Sequence, residues 1–181
     1  MDYTKITADP VDGRIIGQAY MRASGEITHK VRFAYRLFAM EVGQQYDELT
    51  KSVRVVFQDE DPYADASEMF RDVRRGTLLI YRTTDEQSHP ILSADENNRF
   101  RAVHDYFGHF RSGRGFDRHG EEAAWVSHSQ MFAGLARRAM TSETRGQNSA
   151  FIWINEGREF PPQKAVLLPG WMSVVPPRHF A

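Results

Sequence analysis

The chain has 181 residues, 41% of them hydrophobic, and a formal net charge of −1, enough apolar material for one domain with a core. It contains no cysteine, which excludes disulfides, thiolate zinc sites, iron–sulfur clusters and cysteine nucleophiles together. No apolar run approaches the length of a membrane span and Met1–Lys5 lacks a signal-peptide pattern, so a soluble cytoplasmic protein with no membrane association is expected.

In chain order, the first clear helix begins at Thr28. Val31, Ala34, Tyr35, Phe38, Val42, Tyr46 and Leu49 follow at helical spacing. Val53, Val55 and Phe57 alternate with polar partners as in a strand, and residues 59–63 form an acidic loop. Asp65 with Glu68 resembles a capping box. It opens a short helix burying Met69, Phe70 and Val73, which Gly76 closes. Residues 77–82 read as a second strand. Ser93 and Glu96 cap the next helix, on which Phe100, Val103, His104 and Phe107 share one face. A loop rich in Gly and Arg spans 111–120, and one long helix is expected from Glu121 to about Thr141. Phe151–Ile154 reads as a strand. The tail, 156–181, carries five prolines and is expected to wrap the surface in extended form. The expectation is a single α+β domain over 1–181, helix-dominated with a small β-sheet, its chemistry within 97–150.

The informative stretch is His104-Asp105-Tyr106-Phe107-Gly108-His109. On a continuous α-helix, residues five apart diverge by roughly 140°. The two imidazoles converge only if the helix ends between them, and Gly108 is the residue type suited to end it. A carboxylate from Glu121 or Glu122 would complete a set of two imidazoles and one carboxylate. That is the set that holds iron(II) with one face open to dioxygen and substrate. Glu121 shares a stripe with Trp125, His128, Phe132 and Leu135; Glu122 shares one with Val126, Ser129 and Ala133. The two stripes are nearly equally apolar, so the choice stays open. His128, two turns beyond Glu121, is expected behind the ligands or against substrate. Asp105 is expected to orient one imidazole through its distal N–H.

The six residues resemble the iron-binding motif of the pterin-dependent aromatic amino acid hydroxylases: His, an acidic residue, two apolar residues, Gly, His. The resemblance implies iron-ligand roles for His104 and His109 and a supporting role for Asp105. It covers these residues alone. The family's proline after the second histidine is replaced here by Phe110-Arg111-Ser112, and pterin and aromatic amino acid substrates are not carried over with the motif. The Gly120–Trp125 and Glu143–Asn148 stretches are similar to small bacteriophage proteins.

A polar run, Thr141–Asn148, follows the long helix. Arg145 is expected to grip an anionic group while Gln147 and Asn148 hydrogen-bond a small-molecule or nucleotide substrate. The first reading is therefore a non-haem iron(II) hydroxylase, with His128, Glu122 and Arg145 as further catalytic candidates. The second is a zinc hydrolase using the same residues, with the spare glutamate as base. A third is a non-enzymatic phage protein that is structural or binds nucleic acid. Residues 97–181 hold 11 Lys/Arg against 7 Asp/Glu, and Arg111, Arg114 and Arg118 lie in the glycine-rich loop beside Tyr106, Phe110 and Phe116.

Overall fold

The structure is a computed structural model that describes residues 1–84 and 89–180; the last residue of the expected tail lies outside them. Helix α1, Pro10–Arg22, precedes the first helix expected from sequence. Its start is chemically marked: the Asp9 carboxylate accepts from Val11 and Asp12 N–H, and Pro10 occupies the first turn, where a missing N–H costs nothing. Helix α2, His29–Leu49, is capped by Thr28 and buries the expected stripe, with Gln45 added and Tyr46 half-buried. Strand β1, Arg54–Gln58, helix α3, Ala66–Arg74, and strand β2, Thr77–Tyr81, form one β-α-β unit. Its two strands pair in parallel from Arg54↔Thr77 to Gln58↔Tyr81. Gly76 turns the chain into β2 at φ 85°, a conformation that favours glycine.

Helix α4, Ala94–His104, carries the full Ser93/Glu96 capping box. It does not end at Gly108. It runs on as a π-helical segment, π1, over Asp105–Phe110. The expected helix from Glu121 to Thr141 is two helices, α5 at Arg118–Ser129 and α6 at Gly134–Thr141. The chain turns between them, and Gly134 has φ 48°. Beyond α6 the helix continues through π2, Ser142–Gly146, the short α7, Gln147–Ser149, and π3, Ala150–Ile154. The strand expected at Phe151–Ile154 is thus π-helical, its backbone joined to the preceding helix rather than to a sheet edge.

Helix α5 is the axis of the core: Glu122 to Ser129 are all buried. Around it pack Phe38 of α2, Phe100 of α4, Phe107 of π1 and Met140 of α6. A second apolar cluster joins Ile16 and Tyr20 of α1 to Ala150, Val166, Leu168 and Met172. The C-terminal stretch therefore does more than wrap the surface. It is largely irregular, as its prolines require, yet it inserts Ala165, Val166 and Leu168 into the interior. No helix among the described residues is long and apolar enough to cross a membrane.

Candidate metal centre

The π-turn explains how histidines five apart meet. Its i→i+5 hydrogen bonding places such residues one above the other, where an α-helix would splay them. The His104 and His109 rings lie edge to face, 5.2 Å between centroids. Gly108 serves close approach. A Cβ there would lie 3.1 Å from His104 Nδ1 and 3.2 Å from both Ala124 Cβ and Ala124 O. The glycine lets π1 lie against α5, and α5 brings the carboxylate.

That carboxylate is Glu121. One ligand atom from each of His104, His109 and Glu121 lies within 4.8 Å of the others, and among the described residues this group could hold a metal ion. His109 Nε2 is 3.6 Å from Glu121 Oε1, inside the ~4.2 Å that two bonds of about 2.1 Å can span. Glu121 is placed by the first turn of α5, where Asp117 caps the helix through His119 and Gly120 N–H. Gly120 is required there, because a Cβ would stand 1.9 Å from Gly115 O.

The backs of both imidazoles are engaged, which leaves their Nε2 atoms for a cation. His109 Nδ1 donates to Arg114 O at 3.1 Å, and Arg114 N–H returns a bond to His109 O at 3.2 Å. His104 Nδ1 lies 3.2 Å from His128 Nδ1, and His128 Nε2 lies 2.7 Å from Gln45 Oε1. Gln45 Oε1 can only accept, so His128 carries its proton on Nε2 and offers Nδ1 as an acceptor. His104 then donates from Nδ1 and keeps its Nε2 lone pair. Hydrogen bonds behind a ligating imidazole fix its tautomer and raise its basicity. Among the described residues, Gln45 Nε2 has no partner.

Burial sets the protonation of the group. It pushes His104 well below the usual imidazole range, His109 down to about 4 and His128 down to about 3. All three are neutral at pH 7, as ligation requires. Burial pushes Glu121 up to about 8, reinforced by the charges of Asp105 and Asp117. It pushes Asp105 up to about 7, against the pull of Arg101.

The three donors face a cleft of about 460 Å³. Phe100, Arg101, Asp105, Phe116, Glu143 and Phe160 help line it, together with the expected Gln147 and Asn148. Asn148 Nδ2 donates to Glu121 Oε2. Other expected residues stand elsewhere. Glu122 pairs with Arg145, which gives it Nε at 2.8 Å and Nη2 at 2.6 Å. Arg145 sends Nη1 to Met172 O and lies 4.0 Å over the Trp125 ring. Burial alone would raise the Glu122 pKa, but His179 and Arg145 outweigh it and hold the carboxylate below its ordinary range. Neither ligation by Glu122 nor anion capture by Arg145 fits this arrangement, because each fills the other's bonding positions. His128 is fully buried behind His104 and does not line the cleft, so it supports the His104 ring and presents no face to the cleft. Asp105 has no hydrogen bond to either imidazole; Arg114 O and His128 do the orienting expected of it. In the glycine-rich loop, Arg114 holds the carbonyls of Tyr3, Thr4 and Ile6. That guanidinium therefore ties down the N-terminal segment.

Comparison with protein-family models, with curated proteins and with solved structures finds no match. The geometry therefore carries the functional reading by itself.

Residues that sequence reasoning missed include Glu143, Gln45 and His179. Glu143 accepts from the Tyr35 hydroxyl, from His89 Nε2 at 3.2 Å and from Gln163 Nε2 at 2.8 Å. His89 Nδ1 accepts from Ile91 and Leu92 N–H, so its proton sits on Nε2. Glu143 stood in the polar run, but nothing in its spacing announced partners as distant as Tyr35 and His89.

Proposed function

We propose that this chain is a mononuclear non-haem iron(II) enzyme of the dioxygen-activating, hydroxylating type. His104 Nε2, His109 Nε2 and a Glu121 oxygen would hold the ion. The carrying observation is the convergence of two neutral imidazoles, each with its distal nitrogen engaged, and one carboxylate at the wall of a cleft. The donor set fits. It is the two-imidazole, one-carboxylate combination that binds iron(II) and leaves positions open, and iron(II) so held supplies dioxygen activation.

The chain's own part is positional. Gln45 and His128 set the His104 tautomer, Arg114 O sets that of His109, and Asn148 steadies Glu121. Phe100, Phe116 and Phe160 give part of the cleft an apolar wall. Asp105, at about 7, stands in the same wall and can give or take a proton near neutral pH. A zinc hydrolase is the second reading, and this Asp105 favours it, since a base poised near neutrality suits attack by water. Oxygen uptake by the protein loaded anaerobically with iron(II), against the same protein loaded with zinc, tests the choice. Uptake that rises with added cleft ligand and vanishes in His109→Ala supports the iron enzyme. Hydrolytic turnover with zinc and no uptake with iron overturns it.

A further inference from the structure

Helix α2 carries a second apolar stripe, on the side away from the core. Phe33, Leu37 and Met40 recur at i, i+4 and i+7 and so share a face. Phe33 is 58% and Met40 54% exposed, and Leu37 is half-buried. Beside Met40 the surface sinks into an open hollow of about 460 Å³, lined also by Gln44, Met131, Phe132, Ala133 and Arg137. The hollow shares no lining residue with the cleft.

Charge runs along this helix in the wrong sense for the helix itself. Lys30, Arg32 and Arg36 stand in its first half, and Glu41, Asp47 and Glu48 in its second. Its first turn holds no acidic residue and its last turn no basic one, whereas the macrodipole favours acids at the start and cations at the end. The compensation within the chain is slight. Arg36 meets Glu96 and Glu48 meets Lys51, both at the surface, where such pairs contribute little. A second α2 laid antiparallel removes the conflict, because it sets each cationic N-terminal half against an acidic C-terminal one.

A two-fold axis passing between Phe38 and Ala39 brings the pattern into register. Lys30 then stands opposite the partner's Glu48, and His29 opposite the partner's Asp47. Leu37 meets the partner's Met40. Phe33 stands level with the partner's Gln44, at the edge of the hollow. Each copy offers the other the same ring and the same hollow, which is the reciprocity an isologous interface demands.

We propose that the outer face of α2 docks a second copy of this chain, antiparallel, with Phe33 of each seated between Met40, Gln44 and Met131 of the other. The helix is about 30 Å long, so the contact is smaller than the ~800 Å² per partner of a tight complex. The dimer is therefore weak, with a dissociation constant on the order of 10–100 µM. It stands independently of the metal reading.

Sedimentation equilibrium of the metal-free full chain from about 5 to 500 µM tests this, since the mass of a self-associating protein depends on its concentration. The average mass should climb from one chain toward two. Phe33→Asp, at an exposed position where folding is not at stake, should stay monomeric with an unchanged melting temperature. Lys30→Glu at low salt should weaken the dimer about tenfold by opposing like charges. Lys30→Glu combined with Glu48→Lys should recover it, because the swap restores both pairs. The chain has no cysteine, so Met40→Cys supplies a single thiol near the axis. A short bis-maleimide should join two such chains, and should not join Ile15→Cys, a position 45% exposed on α1. A monomer at every concentration, which would leave this face to a different protein, overturns the proposal. So does a dimer that survives Phe33→Asp, or a charge swap that fails to recover what Lys30→Glu lost.

Discussion

Replacing Gly108 by Ala separates two roles for this glycine. By helix propensity alone the change stabilises, by about 0.8–1 kcal/mol. Space argues the other way. The added methyl would lie 3.1 Å from His104 Nδ1 and 3.2 Å from two atoms of Ala124, inside the ~3.5–4.0 Å at which carbon contacts are favourable. Neither neighbour can yield easily: Ala124 is fully buried in the part of α5 that the core surrounds, and His104 is tied to His128. Overpacking of this kind costs about 1–3 kcal/mol, so the net effect should be a loss of roughly 1 kcal/mol. The displaced His104 ring should also weaken metal binding. Gly43→Ala is the control, because a Cβ there meets nothing within 4 Å and the variant should gain the full propensity term. Urea midpoints of both metal-free variants, with zinc titrations of each, give the comparison. A Gly108→Ala protein that is more stable than the parent and binds zinc equally well would refute the close-approach reasoning.

Gln45→Leu removes the acceptor that holds the His128 proton on Nε2; zinc affinity should fall by about 10–100-fold, and nitrogen chemical shifts should show His104 losing its single tautomer. Arg145→Met leaves Glu122 charged and buried, so unfolding free energy should drop by about 3–5 kcal/mol while the folded fraction keeps its zinc affinity. Glu121, raised to about 8, holds its proton at pH 7 and must release it to bind a metal. Proton release measured in buffers of differing ionisation enthalpy should approach one, and affinity should rise about tenfold per pH unit up to pH 8. The same shifts shape the stability of the metal-free protein. Glu121 binds its proton more tightly folded than unfolded, so it costs stability as pH rises from about 4.5 through 8. His104, His109 and His128 bind theirs more tightly unfolded, so they cost stability as pH falls below 6.5. Three imidazoles outweigh the carboxyl terms below pH 6.5, so urea denaturation from pH 4 to 8.5 should find a maximum near pH 6.5, and added zinc should lift the alkaline side.

The elements with one dry face and one wet face were legible. The stripe of α2, the alternation of β1 and the caps of α3 and α4 follow directly from local chemistry. The π-turns were not, because hydrophobic spacing assumes 3.6 residues per turn and one inserted residue shifts every later position. The same error made His104 and His109 need a helix end that is not there. Glu121 and Glu122 could not be separated because α5 is surrounded on all sides, so both of its stripes are apolar. Arg145 misled for a related reason: a charged residue in a polar run reads as exposed until its partner, 23 positions earlier in the chain, is brought beside it. Asp9-Pro10 marked the start of α1 and went unused, since the helix beyond it has exposed Val11 and Ile15 and a weak apolar stripe.

The most direct measurement is metal stoichiometry and affinity in a matched set: the parent protein, His104→Ala, His109→Ala, Glu121→Gln and Glu122→Gln, each titrated with iron(II) under nitrogen after its fold is verified by circular dichroism. One ion per chain in the parent and in Glu122→Gln, with binding lost in the other three, is the expected pattern. Undiminished affinity in either histidine variant, or loss confined to Glu122→Gln, would show that the π-turn does not hold a metal.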